Sequence, residues 1–175
     1  MGLPERKRNH LKGYDYSSTG AYFVTICTQG KRCILSDIVG EGLAPPVVRL
    51  TQYGKAADEQ VRQIEVRYPT VQVDRYVIMP NHIHMLLSIR QDAGGASPSP
   101  TLMDIVRVFK SQTTRQCGRG ANLFQRSFYD HVVRNEHDFR EIWNYIKANP
   151  VKWKDDRFYM KGKTAHDFPE GRYRT

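Results

Sequence analysis

Apolar positions change their spacing several times along the chain, and each change marks an element. Ala21 to Thr28 (AYFVTICT) is β-branched and aromatic, which predicts a buried strand ending near Gly30. Residues 30–50 hold Gly40, Gly42, Pro45 and Pro46 and read as an excursion before the next regular element. From Thr51 to Arg67 the spacing lengthens, with Ala56, Ala57, Val61 and Ile64 on roughly one side, and Pro69 ends this helix. Two strands, Val71 to Met79 and His82 to Ile89, then follow with only Pro80-Asn81 between them, which is a hairpin. Gln91 to Pro100 is rich in small residues, Gly and Pro, and reads as a flexible connection. Thr101 caps a helix whose apolar Leu102, Ile105, Val106 and Phe109 follow i, i+3, i+4, i+7, and Gly118 and Gly120 stop it. Phe128 to Val133 supplies a last strand. Asn135, with Asp138 three residues on, opens a helix whose core stripe is Phe139, Ile142, Trp143 and Ile146, closed by Pro150.

The order strand, helix, strand, strand, helix, strand is that of a ferredoxin-like α+β sandwich (βαββαβ) with an antiparallel sheet, here followed by an additional C-terminal helix. In that closure the strand bearing His82 and His84 is central. The 175 residues suit one domain able to bury roughly 70% of its unfolded surface. It divides into a basic arm over 1–18, a folded domain over 19–153 and a basic tail over 154–175. No apolar run approaches the ~20 residues of a bilayer span, and no apolar stretch follows the charged N-terminus to make a secretory signal. Three scattered cysteines, Cys27, Cys33 and Cys117, form no disulfide framework and point to a reducing cytoplasm.

Charge sharpens this picture. The net charge of +9 calls for an anionic partner, because clustered Lys and Arg release counterions condensed on a polyanion. Ten tyrosines tilt that partner toward nucleic acid, whose unpaired bases stack on flat rings. Arg107, Lys110, Arg115, Arg119 and Lys152 could follow phosphates, and the arm's Arg6, Lys7, Arg8 and Lys12 could reach a hairpin stem. Taken one at a time, each is also an ordinary solvated charge.

The candidate chemistry lies on the second hairpin strand and the last helix. Strand alternation places His82 and His84 on one side, about 6.6 Å apart at Cα, with the wholly apolar Ile83, Met85, Leu87 and Ile89 on the other. Two imidazoles so spaced can hold one divalent metal, or can simply be two half-exposed histidines. Tyr145 and Asn149 are i and i+4 on the last helix, flanking its apolar stripe. An amide oxygen of Asn149 can complete a hard-cation site with the phenol one turn away. Asn149 as the helix C-cap before Pro150 is the plain alternative.

Three ordered runs, MPNHIHML (79–86), FYDHVVRN (128–135) and YIKANP (145–150), resemble the HUH single-strand DNA transposases, and within them the REP-associated tyrosine branch (IS200-like transposases). The resemblance spans about Leu11 to Trp153. It implies the ferredoxin-like core, a divalent ion (Mg²⁺ or Mn²⁺) on His82 and His84 with Asn149 as third ligand, and Tyr145 as nucleophile. Relatives often carry Gln at the position of Asn149. The implied activity is nicking and strand transfer on hairpin-containing single-stranded DNA through a 5′-phosphotyrosine, by a monomer or a homodimer. Tyr129, near His131, is a rival nucleophile without a matching i+4 ligand. Lys147, Lys152 and His131 are candidates to assist loss of the phenol proton, whereas His10, His137 and His166 read as surface residues. Two alternatives stand beside this reading: a domesticated or inactive homologue that binds structured single-stranded DNA or RNA without cleaving it, and a Zn²⁺ hydrolase in which water attacks and Tyr145 has no role.

Overall fold

The computed structural model describes residues 15, 16, 18–40, 45–90, 100–118 and 122–164. Arg6, Lys7, Arg8, Lys12, Arg119, His10, His166 and nearly all of the Gln91 to Pro100 connection lie outside them. Six strands and three helices follow in order: β1 (Gly20–Cys27), β2 (Ser36–Val39), β3 (Val47–Leu50), α1 (Gln52–Arg67), β4 (Val71–Ile78), β5 (His82–Ile89), α2 (Leu102–Gln116), β6 (Tyr129–Val133) and α3 (Glu136–Ala148). The main sheet has the order β4-β5-β1-β6 and is antiparallel throughout. Counted without β2 and β3, that is the ferredoxin-like arrangement, with β5 and β1 central.

Local signals in the sequence place the helix starts. Thr51, Thr101 and Asn135 each sit just before a helix in extended backbone and accept a hydrogen bond from the third residue on, Gly54, Asp104 and Asp138 respectively. Gly54 is fixed by packing, since a Cβ there would lie 2.0 Å from the Leu35 carbonyl oxygen.

The excursion expected over 30–50 contains regular structure. β2 and β3 form a separate two-stranded ribbon pairing Ser36 with Leu50 and Val39 with Val47. Each has only four residues, too short for alternation to stand out against the surrounding Gly and Pro.

The two faces of the main sheet are built differently. On one, Ile83, Met85, Leu87 and Ile89 of β5 and Tyr22, Val24 and Ile26 of β1 pack with Val61 and Ile64 of α1 and Ile105 and Phe109 of α2. Each such fully buried side chain contributes roughly 1.5–3 kcal/mol. The other face carries His82, His84, Phe23 and Arg75 and is covered by α3 and by residues 153–158. Here the expected core stripe of α3 is corrected: only Ile146 is buried, while Phe139, Ile142 and Trp143 are half-buried. Trp143 lies under the Arg75 guanidinium at 4.6 Å and stacks on Phe139 at 6.2 Å, so α3 is held partly by surface aromatic contacts. Arg75 reaches that position just after a β-bulge at Asp74.

Residues 154–164, which the sequence assigns to a basic tail, return to the sheet. Trp153 begins a single helical turn, and Phe158 is buried beside Cys27, Cys33, Met79 and Trp153. Among the described residues no helix is long and apolar enough to cross a membrane.

Candidate active site

The two histidines are buried and neutral. His82 and His84 are 0% and 1% exposed. Burial, reinforced by the Arg157 charge, pushes His82 down to about 3, and burial with the neighbouring His82 ring holds His84 well below the usual imidazole range. Neutral imidazole is the form that ligates a metal.

Neighbouring groups fix the orientation of both rings. The Asn81 amide nitrogen donates to the carbonyls of Lys31 (3.2 Å) and Phe158 (2.8 Å), which leaves Oδ1 to accept from His82 Nδ1 at 3.0 Å. Thr25 Oγ1 on β1 sits 2.8 Å from His84 Nδ1. With both Nδ1 atoms occupied, the two Nε2 atoms face one another at 3.0 Å. This is the arrangement by which outer hydrogen bonds select the ligating nitrogen of a metal-bound histidine.

Oxygen donors come from the chain after α3 begins. Asn149, at the C-cap of α3, is 2% exposed rather than flanking the packed face, and its Oδ1 is buried without a hydrogen-bond partner. Its amide nitrogen donates to Asp156 Oδ2 at 3.0 Å. The other Asp156 oxygen accepts from the backbone N–H of Phe158 at 2.7 Å. Ligand atoms of His82, His84 and Asp156 all lie within 4.8 Å of one another. Two soft-to-borderline nitrogens, a carboxylate and an unpaired buried amide oxygen fit a divalent cation. Asp156 was missed from sequence because it sits in a basic stretch; its only signal is the acidic Asp155-Asp156 pair between two aromatic residues, Trp153 and Phe158.

Tyr145 closes the group from above. Its hydroxyl lies 3.3 Å from His84 Nε2, its ring is 6.0 Å from Phe23 and edge-on, and it remains 43% exposed. Burial of the phenol and then the Asp156 charge raise its pKa, so it is protonated at neutral pH. Rings line the rest: Phe158 lies 4.7 Å and Trp153 6.0 Å from His82.

The remaining candidates lie apart from this group. Tyr129 on β6 is 42% exposed and lies 6.5 Å from the Phe158 ring, under the Arg157 guanidinium. His131 is paired with Asp138 at 2.8 Å. Lys147 and Lys152 are exposed, as is His137. Arg107 and Arg115 are exposed on α2, with Arg107 held to Asp104 at 2.9 Å. Lys110 has a different placement from the one its sequence position suggests: its ammonium donates to the Gln125 (2.8 Å) and Arg126 (2.9 Å) carbonyls, tying the loop before β6 to α2.

Comparison with known proteins follows the same lines. No protein-family profile matches the chain. An uncharacterised protein of Haemophilus influenzae is 30% identical over 177 aligned positions, covering 91% of this chain and 96% of its own. A REP-associated tyrosine transposase of Escherichia coli K12 is 24% identical, covering 86% of this chain and 74% of its own. The solved structure of a REP-associated tyrosine transposase bound to a REP hairpin superimposes with a TM-score of 0.60 at 23% identity, over 95% of this chain and 81% of that one, and so shares the fold. With HxH on the central strand, a tyrosine and an amide one turn apart on the covering helix, and these relatives along most of its length, the chain belongs to the REP-associated tyrosine transposases, a branch of the HUH family of DNA-cleaving enzymes.

Proposed function

We propose that this transposase cleaves and rejoins single-stranded DNA beside a hairpin, with Tyr145 as nucleophile and a divalent ion, Mg²⁺ or Mn²⁺, held by His82, His84 and oxygens of Asn149 and Asp156. The observation that carries the reading is the convergence of the two buried Nε2 atoms, the half-exposed Tyr145 hydroxyl and the unpaired Asn149 Oδ1 in one corner. When bound, the ion supplies charge neutralisation at a phosphodiester's anionic oxygens and at the departing 3′ oxygen. Asn81 and Thr25 keep the ligating nitrogens aimed inward. Tyr145 Oη forms the new bond to phosphorus as the bond to the 3′ oxygen breaks. The phenol proton leaves to solvent, to which Tyr145 is the most open of the group, and the 3′ oxygen takes up a proton to become a hydroxyl. The 5′-phosphotyrosine keeps the ester energy, and attack by another 3′-hydroxyl reverses the step, restoring the phenol and joining the strands.

Arg107, Arg115 and Lys152, with Arg6, Lys7, Arg8, Lys12 and Arg119, are the cations assigned to phosphates in this reading. Hairpin DNA as substrate is supported by the hairpin that the structurally similar transposase holds. Three scattered cysteines, Cys27, Cys33 and Cys117, suit a cytoplasmic setting.

The test is incubation with labelled hairpin-containing single-stranded DNA from the gene's own flanks plus Mg²⁺ or Mn²⁺, resolved on a denaturing protein gel. A metal-dependent covalent adduct, absent from Tyr145→Phe and His82→Ala, is the expected result. Binding without an adduct would assign the chain to the non-cleaving binders. Cleavage that survives Tyr145→Phe would move the chemistry to an activated water.

A further inference from the structure

A second concave surface lies on the helix layer, on the other side of the sheet from His82 and His84. It is a groove of ≈ 710 Å³ between one side of α2 and residues 122–128. Its volume falls in the range of about 300–1,000 Å³ typical of small-molecule and cofactor sites. Met103, Val106, Phe124 and Phe128 give it an apolar floor, and Arg107, Arg115 and Arg126 stand at its rim. Among the described residues no carboxylate lines it. Arg107 is partly neutralised by Asp104, whereas Arg115 and Arg126 have no ion pair among the described residues. Lys110 does a different job. By gathering the carbonyls of the loop, with its ammonium 5.7 Å from the Phe128 ring centroid, it holds the groove's second wall in place whether or not a ligand is present.

An apolar floor under unpaired guanidinium groups matches a ligand with a flat ring and an attached phosphate. The path to it is also short. Phe128 faces the groove, and the next residue, Tyr129, lies on the opposite face within 6.5 Å of the Phe158 ring beside His82. β6 is an edge strand, so no further strand separates the two faces there. The geometry points to this groove as an anchoring site for a nucleotide of single-stranded DNA whose strand passes round the β6 edge from the Tyr145 face, with phosphate on Arg115 and Arg126. This inference rests on the cleavage reading given above for the direction of the strand, but the groove's ligand chemistry stands without it.

The test uses the full chain carrying Tyr145→Phe, so that binding is measured without chemistry. Fluorescence anisotropy with a labelled hairpin bearing single-stranded flanks is followed across a salt series for the Arg115→Glu/Arg126→Glu variant. A Lys55→Glu/Arg67→Glu variant, exposed on α1 and equal in charge, serves as control. The groove variant is expected to lose more than about tenfold in affinity beyond the control, and its slope of log K against log salt to fall by about 0.7, for one phosphate. Ser111→Trp, which fills the groove without changing charge, is expected to weaken binding with the slope kept. Equal binding by the groove and control variants would overturn the proposal, as would loss of binding to a labelled oligoglutamate peptide while DNA binding stayed intact. The cleavage assay on the parent chain separates the two readings. If no adduct forms but the groove variant still loses DNA, the groove stands and the nuclease reading fails. If adduct forms and the groove variant binds as its control does, the reverse holds.

Discussion

The two faces of the central sheet share β5, yet they obey opposite rules. On the helix face every β5 side chain is apolar and sits among residues of α1 and α2, so the energy comes from area removed from water. On the other face the same strand buries two imidazoles whose ring nitrogens are satisfied one by one, by Asn81, by Thr25 and by each other. A buried polar group that loses its partner costs about 1–3 kcal/mol, so this face specifies positions rather than adding stability. The difference teaches where the molecule keeps its strength: the helix face holds the fold, and the histidine face is held in shape by it.

That contrast can be broken first at its strong side. Leu87→Ala, fully buried under the helices, is expected to lower the unfolding free energy by about 2–5 kcal/mol in urea titrations. A loss below 1 kcal/mol would show the helix face to be far looser than its burial indicates. Next, Mg²⁺ or Mn²⁺ at a hundred times its Kd should raise the unfolding free energy by about 2.7 kcal/mol. EDTA should reverse the gain, and His82→Ala should not show it. Absence of any shift in the parent chain would leave the histidine face a polar packing solution only. Asn81→Ala, which frees His82 Nδ1, should weaken the cation about 10- to 100-fold by calorimetry while the helix face stays intact by circular dichroism. Removing the Arg75 guanidinium from Trp143 is a smaller change, and Arg75→Ala should cost about 0.5–1 kcal/mol, seen as earlier protease cutting within α3. The smallest signal is kinetic. Burial pushes the Cys27 thiol up to about 11, so at pH 8 it should label only when residues 153–158 lift away. Labelling at an opening free energy below the global value would place the weak seam on the histidine face.

What the sequence discloses follows from range. Alternation in His82–Ile89 and the i, i+3, i+4 spacing of α1 and α2 are local, and so are the three N-caps; all are readable without knowing where the chain goes next. The HxH and Tyr145–Asn149 spacings are local too, which is why four residues of the candidate site could be named from spacing and motif. Asn81's grip on Phe158, Asp156's approach to the histidines and the turning-in of Lys110 depend on segments that return after many residues. A Lys in an otherwise basic face carries no mark that its ammonium will be spent on carbonyls. The half-burial of Trp143 escaped for a related reason, since a helical stripe shows which side faces the protein but not how completely a neighbour covers it.

Tyr145, Asn149 and Asp156 lie within twelve consecutive residues, and the chain enters α3 through the short link after Val133. The proposed nucleophile and both proposed oxygen donors are therefore contiguous in the chain. A genetic crossover falling at that link would exchange them as one block while leaving the histidine strand untouched.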